Sequence, residues 1–173
     1  LALVHALYHR GNKIRCVVST FRSLSVGSGP AIDDSIAARD HLIADDRCTG
    51  RVGLVGFCMG GGFCLQLAPS GEFDVAAPNY GVWPKDIDAL KRSCPVVASY
   101  GAKDRTLPGA AAKLEAVLAD TDVPRDIKEY PEVGHSFMNN WGTPRPLRFV
   151  ERITRTPDMA QELVRGQRWD LML

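Results

Sequence analysis

The sequence lacks the features that would assign it to a membrane or to nucleic acid. It has no run of about 18 apolar residues, so no segment is long enough to span a bilayer. It also lacks an excess of either charge, because 21 basic and 20 acidic side chains leave a formal charge of +1. Phosphate binding needs a concentrated basic surface. We therefore expect neither a membrane nor nucleic acid as a partner.

Paired cysteines are also missing. The chain has five cysteines, an odd number, and none of them forms a CxxC pair. A disulfide framework or a zinc site is therefore disfavoured, and we expect a reducing, cytoplasmic setting. His5 and His9 lie four residues apart on a predicted helix but have no evident third ligand. We predict no metal and no other cofactor.

The chain begins without an initiator Met and without the basic start of a signal peptide. Its first ten residues, LALVHALYHR, are typical of the middle of an amphipathic helix. A length of 173 residues is enough for one domain with its own core. We expect a single domain over residues 1–173 that begins inside a helix.

Short apolar runs alternate with helical stretches along the chain. The predicted strands are 13–18, 51–55, 74–80, 95–100 and 126–130, of which 74–80 is the weakest. The predicted helices are 1–10, the segment that starts at Pro30, 108–119 and a closing helix at 157–173, while 19–29 is predicted to be a loop. Strands that alternate with helices predict an α/β fold with a mostly parallel sheet covered by helices on both faces.

A glycine-rich segment, GFCMG at residues 56–60, follows the predicted strand at 51–55. The spacing is G-x-nucleophile-x-G, in which a sharp strand-to-helix turn projects the central side chain outward. We expect both flanking glycines to be required because a Cβ at either would collide with the backbone. The helix behind the turn would favour the Cys58 thiolate, and the Met59 N–H would face a developing oxyanion. A glycine-rich turn around a small buried cysteine is the alternative.

Two further polar residues follow predicted strands. Asp104 comes after the strand at 95–100, and His135 comes after the strand at 126–130. The carboxyl ends of parallel strands meet at one edge of a sheet, so we expect both residues near Cys58. His135 would take the thiol proton and return it to the leaving group, while Asp104 would hold the imidazole. Taken alone, each residue has an ordinary alternative: a capping aspartate or a surface histidine.

The segments GFCMGG, GAKD and GHSF resemble the dienelactone hydrolase family of α/β-hydrolases, over about residues 1–139. The resemblance implies an α/β-hydrolase-like fold whose first strands are missing from this chain. It also implies a Cys-Asp-His triad, and Cys58, Asp104 and His135 match the three positions. The implied reaction is hydrolysis of a carboxylated enol-lactone without a cofactor.

The sequence departs from the family pattern in two places. The glutamate that pairs with the resting thiol, and the amide that completes the oxyanion hole, have no counterpart, because Leu1 is expected to enter after that loop. Members that act on the carboxylated lactone also carry an arginine shortly after the histidine, where residues 138–140 read MNN. Arg22, in the predicted loop, is the remaining candidate contact for an anion, with a solvated surface arginine as the alternative.

Three aromatic residues follow a predicted strand or the predicted histidine in the sequence. Tyr80 and Trp83 follow a strand end, and Phe137 lies two residues after His135. We expect these three to line the substrate pocket, although aromatic residues in such places are as often part of the core.

Three functions are compatible with these patterns. The first is a hydrolase that cleaves a small-molecule lactone or ester through Cys58, and the second is a general carboxylesterase or thioesterase that uses the same triad. The third is a degenerate domain retained for binding. The segment at 157–173 is expected to close the sheet or to act as an interaction tail, and the sequence predicts no oligomeric state.

Overall fold

The computed structural model describes residues 15–16, 18–138 and, as backbone, 170–172. Residues 15–16 and 18–26 are helical and are labelled α1. The other helices are α2 (Pro30–Ile43), α3 (Met59–Leu67), α4 (Ala110–Leu118) and the two short 3-10 helices Ala68–Ser70 and Asp88–Arg92. The strands are β1 (Val52–Phe57), β2 (Val75–Asn79), β3 (Val96–Gly101), β4 (Arg125–Tyr130) and β5 (Asp170–Met172).

The five strands form one sheet in the order β4-β3-β2-β1-β5, and every neighbouring pair is parallel. The predicted α/β fold with a parallel sheet is therefore confirmed. Four predicted strands, those at 51–55, 74–80, 95–100 and 126–130, coincide with β1 to β4. In β1 the four residues at 52–54 and 56 are buried, as expected for a strand inside a parallel sheet.

The predictions for the first described residues are wrong. Residues 15–16 and 18 of the predicted strand at 13–18, and residues 19–26 of the predicted loop at 19–29, are helical and belong to α1. Cys16, expected to be a buried residue of that strand, is exposed. The predicted helix at 1–10, which contains His5 and His9, lies outside the described residues.

Tertiary contacts explain why residues 18–26 are helical despite the β-branched run at their start. Ser23 and Leu24 are buried, and the Leu24 carbonyl accepts a hydrogen bond of 2.6 Å from Gln66 Nε2 on α3. The helix ends at Gly27, whose φ of 74° is the left-handed conformation that terminates helices, and whose N–H bonds to the Ser23 carbonyl. The glycine that suggested a loop is therefore the end of a helix.

The end of the chain also differs from its prediction. Residues 170–172, placed in a closing helix by the sequence, form β5, which pairs with β1 through Val52↔Asp170 and Leu54↔Met172. The remainder of the predicted closing helix lies outside the described residues. β5 thus extends the parallel sheet on the side of β1 that faces away from β2.

Strand β2 is central in the sheet although its sequence, VAAPN, is a weak strand pattern. The Ala76 N–H donates to the carbonyl of Pro95, just before β3, and the Tyr80 N–H donates to the carbonyl of Ser99 in β3. Pro78 lies midway between those two donors and has no N–H, so the ladder to β3 is interrupted there. Proline in the middle of a sheet is unusual, which is why the sequence signal was weak.

Two clusters of buried side chains form the core. One contains Leu65 of α3, Val96 of β3 and Leu114 of α4, and the other contains Ile32 of α2 and Val52 of β1. Helix α2 begins at Pro30, as predicted from the preference of proline for the first helical position. The helices therefore bury their apolar sides against a sheet whose strand ends carry the polar residues of interest.

Helix α3 lies very close to the loop that follows β2. A Cβ on Gly61 would lie 2.6 Å from the Asn79 carbonyl oxygen and 2.8 Å from Gly81 Cα, and a Cβ on Gly81 would overlap the Gly61 backbone. By contrast, a Cβ on Gly60 would meet no atom within 4 Å. Two glycines facing each other thus allow the beginning of α3 to sit against the end of β2.

We predict opposite effects for alanine at the two adjacent glycines of α3. Gly61→Ala should lower the free energy of unfolding by about 1–3 kcal/mol, because the added methyl group forces backbone apart. Gly60→Ala, the matched control, should leave it unchanged or raise it by up to about 1 kcal/mol, because alanine is the better helix former. Urea unfolding of both variants measures this difference, and equal effects would contradict the close packing at Gly61.

Candidate active site

Cys58 lies at the turn between β1 and α3. Its φ of 54° and ψ of −113° are sparsely populated for a residue with a side chain, and such strain persists only where the surroundings enforce it. The Cys58 N–H donates to the Asn79 carbonyl at 3.0 Å, and the Cys58 carbonyl accepts from the Gly62 N–H at 3.1 Å. The turn is thus held by the end of β2 on one side and by the first turn of α3 on the other.

The flanking glycines of the turn are not equivalent. A Cβ on Gly56 would overlap the Gly60 carbonyl oxygen and lie 2.7 Å from Cys64 Sγ, so the expectation of a required glycine is confirmed there. At Gly60 the expectation is wrong, because a Cβ there points into open space. The steric requirement falls instead on Gly61, at the contact between α3 and the loop after β2.

Asn79 is a buried residue that the sequence did not single out. Its Nδ2 donates to the Gly56 carbonyl at 3.3 Å and to the Ala77 carbonyl at 3.1 Å, while its backbone carbonyl accepts from the Cys58 N–H. Asn79 therefore binds the polypeptide on both sides of the strained turn. No local pattern marks this residue, because its partner Gly56 lies 23 positions earlier.

His135 connects the thiol to the carboxylate. Its Nε2 lies 3.1 Å from Cys58 Sγ, and its Nδ1 lies 2.7 Å from Asp104 Oδ2. The three side chains come from the loops that follow β1, β3 and β4, whose carboxyl ends share one edge of the sheet. The structure therefore brings together the three residues that the sequence singled out.

Asp104 is 3% exposed and has partners for both carboxylate oxygens. Oδ1 accepts the Thr106 N–H at 2.8 Å and the Thr106 hydroxyl at 2.7 Å, and Oδ2 faces His135. Burial alone would raise the pKa of Asp104. The hydrogen bonds from the Thr106 side chain, from His135 and from the Thr106 backbone outweigh burial, so the pKa is lower than usual.

Tyr80 and Phe137, two of the predicted pocket residues, lie beside the imidazole. The Tyr80 ring is 5.3 Å from the His135 ring and 5.3 Å from the Phe137 ring, with edge-to-face geometry in both pairs. Burial, with a smaller contribution from Cys58, raises the pKa of Tyr80 to about 12, so this phenol stays neutral. Both aromatic side chains are buried and belong to the core cluster of α4, so they form the apolar wall behind His135.

Trp83 and Met59 occupy the borders of the site. Trp83 packs on the same core cluster as Cys58, and Lys113 Nζ lies 4.7 Å from the centre of its ring. Met59 is the first residue of α3, where backbone N–H groups have no acceptor within the helix. Met59 thus stands at the helix start beside Cys58, and the expected contact of its N–H with an oxyanion stays a prediction.

The dienelactone hydrolase family model matches residues 1–156. The chain belongs to this family. Curated relatives of this family member include the carboxymethylenebutenolidases of Rhodococcus opacus, 30% identical over 125 residues, and of Pseudomonas putida, 32% identical over 110 residues. These matches cover 62% and 61% of this chain but 48% and 46% of the relatives, so the chain spans about half the length of the curated relatives it matches.

Solved structures agree with the fold of this dienelactone hydrolase family member. A candidate dienelactone hydrolase from Klebsiella pneumoniae superposes with a TM-score of 0.61 at 21% identity, covering 78% of this chain and 58% of that one. A thermostable esterase superposes with a TM-score of 0.54 at 21% identity, covering 80% and 36% respectively. The α/β-hydrolase-like fold expected from the motifs is thus confirmed.

Arg22 differs from its prediction in local structure. It lies on helix α1 rather than in a loop, and its side chain is exposed. Its expected contact with a substrate anion stays a prediction. Residues 139–140, the region where a family arginine was sought, lie outside the described residues.

The described part of this family member holds no cluster of three or more His, Cys, Asp or Glu side chains suited to a metal ion. Within the same residues, no helix is both long enough and apolar enough to cross a membrane.

Thr106, like Asn79, contacts the site but was missed from the sequence. Its signal was an Asp-x-Thr spacing, in which an aspartate accepts from the backbone N–H two residues later.

We predict a pH-dependent loss of stability for Asn79→Asp. The new carboxylate would face the Gly56 and Ala77 carbonyls, so the folded protein should hold the carboxyl group protonated above its usual pKa of about 3.9. The folded state then binds more protons than the unfolded state, and stability falls as pH rises. Relative to wild type, the loss should be about 1–3 kcal/mol greater at about pH 7 than at about pH 4.5.

Asn79→Ala is the control for this variant. It removes both side-chain hydrogen bonds but adds no titratable group, so its destabilisation relative to wild type should be the same at both pH values. Urea unfolding at each pH gives the comparison. A pH-independent effect of Asn79→Asp would show that the side chain does not face the two carbonyls.

Proposed function

We propose that this protein hydrolyses a small-molecule carboxylic ester or lactone, with Cys58 as the nucleophile. The observation that carries the proposal is the continuous path from Cys58 Sγ through the His135 ring to Asp104 Oδ2, with contacts of 3.1 and 2.7 Å. A nucleophile, a base and an orienting carboxylate within hydrogen-bonding distance are what acyl transfer requires. The strained φ of Cys58 supports the same role, because such strain is concentrated at active sites.

In the first half of the reaction, His135 Nε2 takes the thiol proton as Cys58 Sγ attacks the carbonyl carbon of the substrate. The carbonyl oxygen becomes an oxyanion beside the first turn of α3, where the Met59 N–H donates to it. The carbon–oxygen bond to the leaving group then breaks, and the imidazolium gives its proton to the departing oxygen. A thioester on Cys58 remains, and for a lactone the released alcohol or enol stays part of the acyl group.

In the second half, water replaces the leaving group. His135 removes a proton from the water as it attacks the thioester, and the second tetrahedral intermediate expels the Cys58 sulfur, which recovers a proton from His135. Asp104, ionised because its pKa is low, stabilises the imidazolium in both halves. The reaction consumes one water and needs no cofactor.

The relatives and the site together suggest the substrate class. Relatives named carboxymethylenebutenolidase support a lactone of the dienelactone type as substrate. Cys58 and Trp83 pack on the core cluster that contains Tyr80 and Phe137, so the surroundings of the thiol are mainly apolar. That apolar setting also favours the second candidate function, a general carboxylesterase or thioesterase on the same residues.

The free thiol fits a reducing compartment. All five cysteines are free, and burial raises the pKa of Cys64 to about 12 and of Cys94 to about 11. Those two thiols would remain protonated and slow to react. We therefore propose a cytoplasmic setting in which Cys58 remains reduced.

We predict that Cys58→Ala lowers turnover of an activated ester by at least about a thousandfold while the protein stays folded, because the nucleophile is lost. Cys16→Ser, at an exposed cysteine on α1, is the matched control and should keep wild-type turnover. Initial rates and circular dichroism are the measurements. Equal rates for wild type and Cys58→Ala would refute the proposal. If neither protein turns over the ester and all thiols are alkylated at a uniformly slow rate, the degenerate binding domain is favoured instead.

We predict that Arg22→Ala separates the two candidate substrate classes. For a carboxylated enol-lactone it should raise KM by up to about fivefold, the range of an exposed ion pair, and for an uncharged short acyl ester it should change nothing. Arg15→Ala removes another exposed arginine of α1 and is the control. An unchanged KM for the lactone would leave Arg22 as a solvated surface residue.

A further inference from the structure

Thr106 completes a ring of polar contacts on the side of the imidazole that faces away from Cys58. Its hydroxyl oxygen lies 2.7 Å from Asp104 Oδ1 and 3.2 Å from His135 Nδ1, while Asp104 Oδ2 lies 2.7 Å from the same Nδ1. The Thr106 backbone N–H adds a second bond to Asp104 Oδ1 at 2.8 Å. One threonine therefore touches both the carboxylate and the histidine.

We propose that Thr106 is a positioning residue that selects the reactive tautomer of His135 and fixes the plane of the Asp104 carboxylate. The inference rests on the proposed function, since it assigns a role within the same three-residue site. Thr106 itself touches neither the substrate nor the thiol in this role. It acts through Asp104 and His135.

The direction of the hydrogen bonds around Thr106 determines the tautomer of His135. The Thr106 hydroxyl has one proton, and the carboxylate Oδ1 at 2.7 Å is its acceptor because an ionised carboxylate has no proton to donate. The Thr106 oxygen can then offer only a lone pair to His135 Nδ1. Because Asp104 Oδ2 is also an acceptor, Nδ1 faces two acceptors and must carry the ring proton, which leaves Nε2 free to accept the Cys58 proton.

The partners of the Asp104 carboxylate fix its orientation. Asp104 is almost fully buried, and a buried carboxylate needs its oxygens satisfied. Both bonds from Thr106 go to Oδ1, so Oδ2 is left facing the imidazole and rotation of the carboxylate would break them. The backbone bond and the hydroxyl bond together fix Oδ1, and the hydroxyl oxygen also lies 3.2 Å from His135 Nδ1.

The test uses three variants of the intact protein. Thr106→Val keeps the shape of the side chain and the backbone N–H, but a methyl group replaces the hydroxyl. The methyl group fills the space that a water molecule could otherwise take. Thr106→Ser retains the hydroxyl. Thr121→Val is the matched control, because among the residues that the structure describes the Thr121 hydroxyl bonds to the local backbone at Leu118 and Val123. Thr106 is an exposed residue, so the variants are expected to fold.

We expect Thr106→Val to lower kcat for an activated ester by about tenfold with little change in KM, because a hydrogen bond to a charged group is lost and substrate binding is not. Thr106→Ser should recover most of the rate, and Thr121→Val should equal wild type. Wild-type kcat in Thr106→Val, a loss confined to KM, or a serine variant as slow as the valine variant would overturn the proposal.

A second readout does not depend on turnover. The proton on His135 Nδ1, held between two acceptors, should give a far-downfield resonance in proton NMR that is present in wild type and Thr106→Ser and is shifted or lost in Thr106→Val. An identical resonance in wild type and Thr106→Val would overturn the proposal. If wild type and Cys58→Ala hydrolyse esters equally, the proposed function fails, and the NMR comparison still decides the role of Thr106.

Discussion

The hydrogen bond between the Cys58 N–H and the Asn79 carbonyl is the contact on which the site depends. It joins the end of β1 to the end of β2 and holds a cysteine at a φ that such residues rarely adopt. Beside this bond α3 lies close against the end of β2, which the absence of side chains at Gly61 and Gly81 allows. Backbone packing between a helix and a loop therefore sets the direction of a thiol.

The polar side of the site depends on burial as much as on proximity. Asp104 is almost fully buried, so its charge is maintained by hydrogen bonds from Thr106 and His135. These bonds lower the pKa of the carboxyl group despite its burial. The ring of Tyr80, neutral because its own pKa is raised, packs on His135 without competing for the proton.

The reliability of the sequence-based predictions followed the strength of the local signals. Strands β1, β3 and β4 and helices α2 and α4 were predicted because apolar runs, proline at a helix start and turn residues all agreed there. The prediction for the first described segment was wrong because its β-branched residues favour a strand, whereas the packing of Leu24 on α3 favours a helix. Strand β2 was weakly predicted because its sequence contains Pro78, which has no N–H for the ladder to β3, yet the strand pairs with β1 on one side and β3 on the other.

By itself, the sequence determined which chemical groups stand after which strands: a thiol after β1, a carboxylate after β3 and an imidazole after β4. The rule that parallel strands end at one edge was enough to bring them together. The tertiary structure alone decided that Asn79 holds the turn, that Gly61 rather than Gly60 is sterically required, and that Thr106 closes the contacts around His135. The physical reason is that these contacts join groups far apart in the chain, such as Thr106 and His135, 29 residues apart, and no local pattern encodes such a distance.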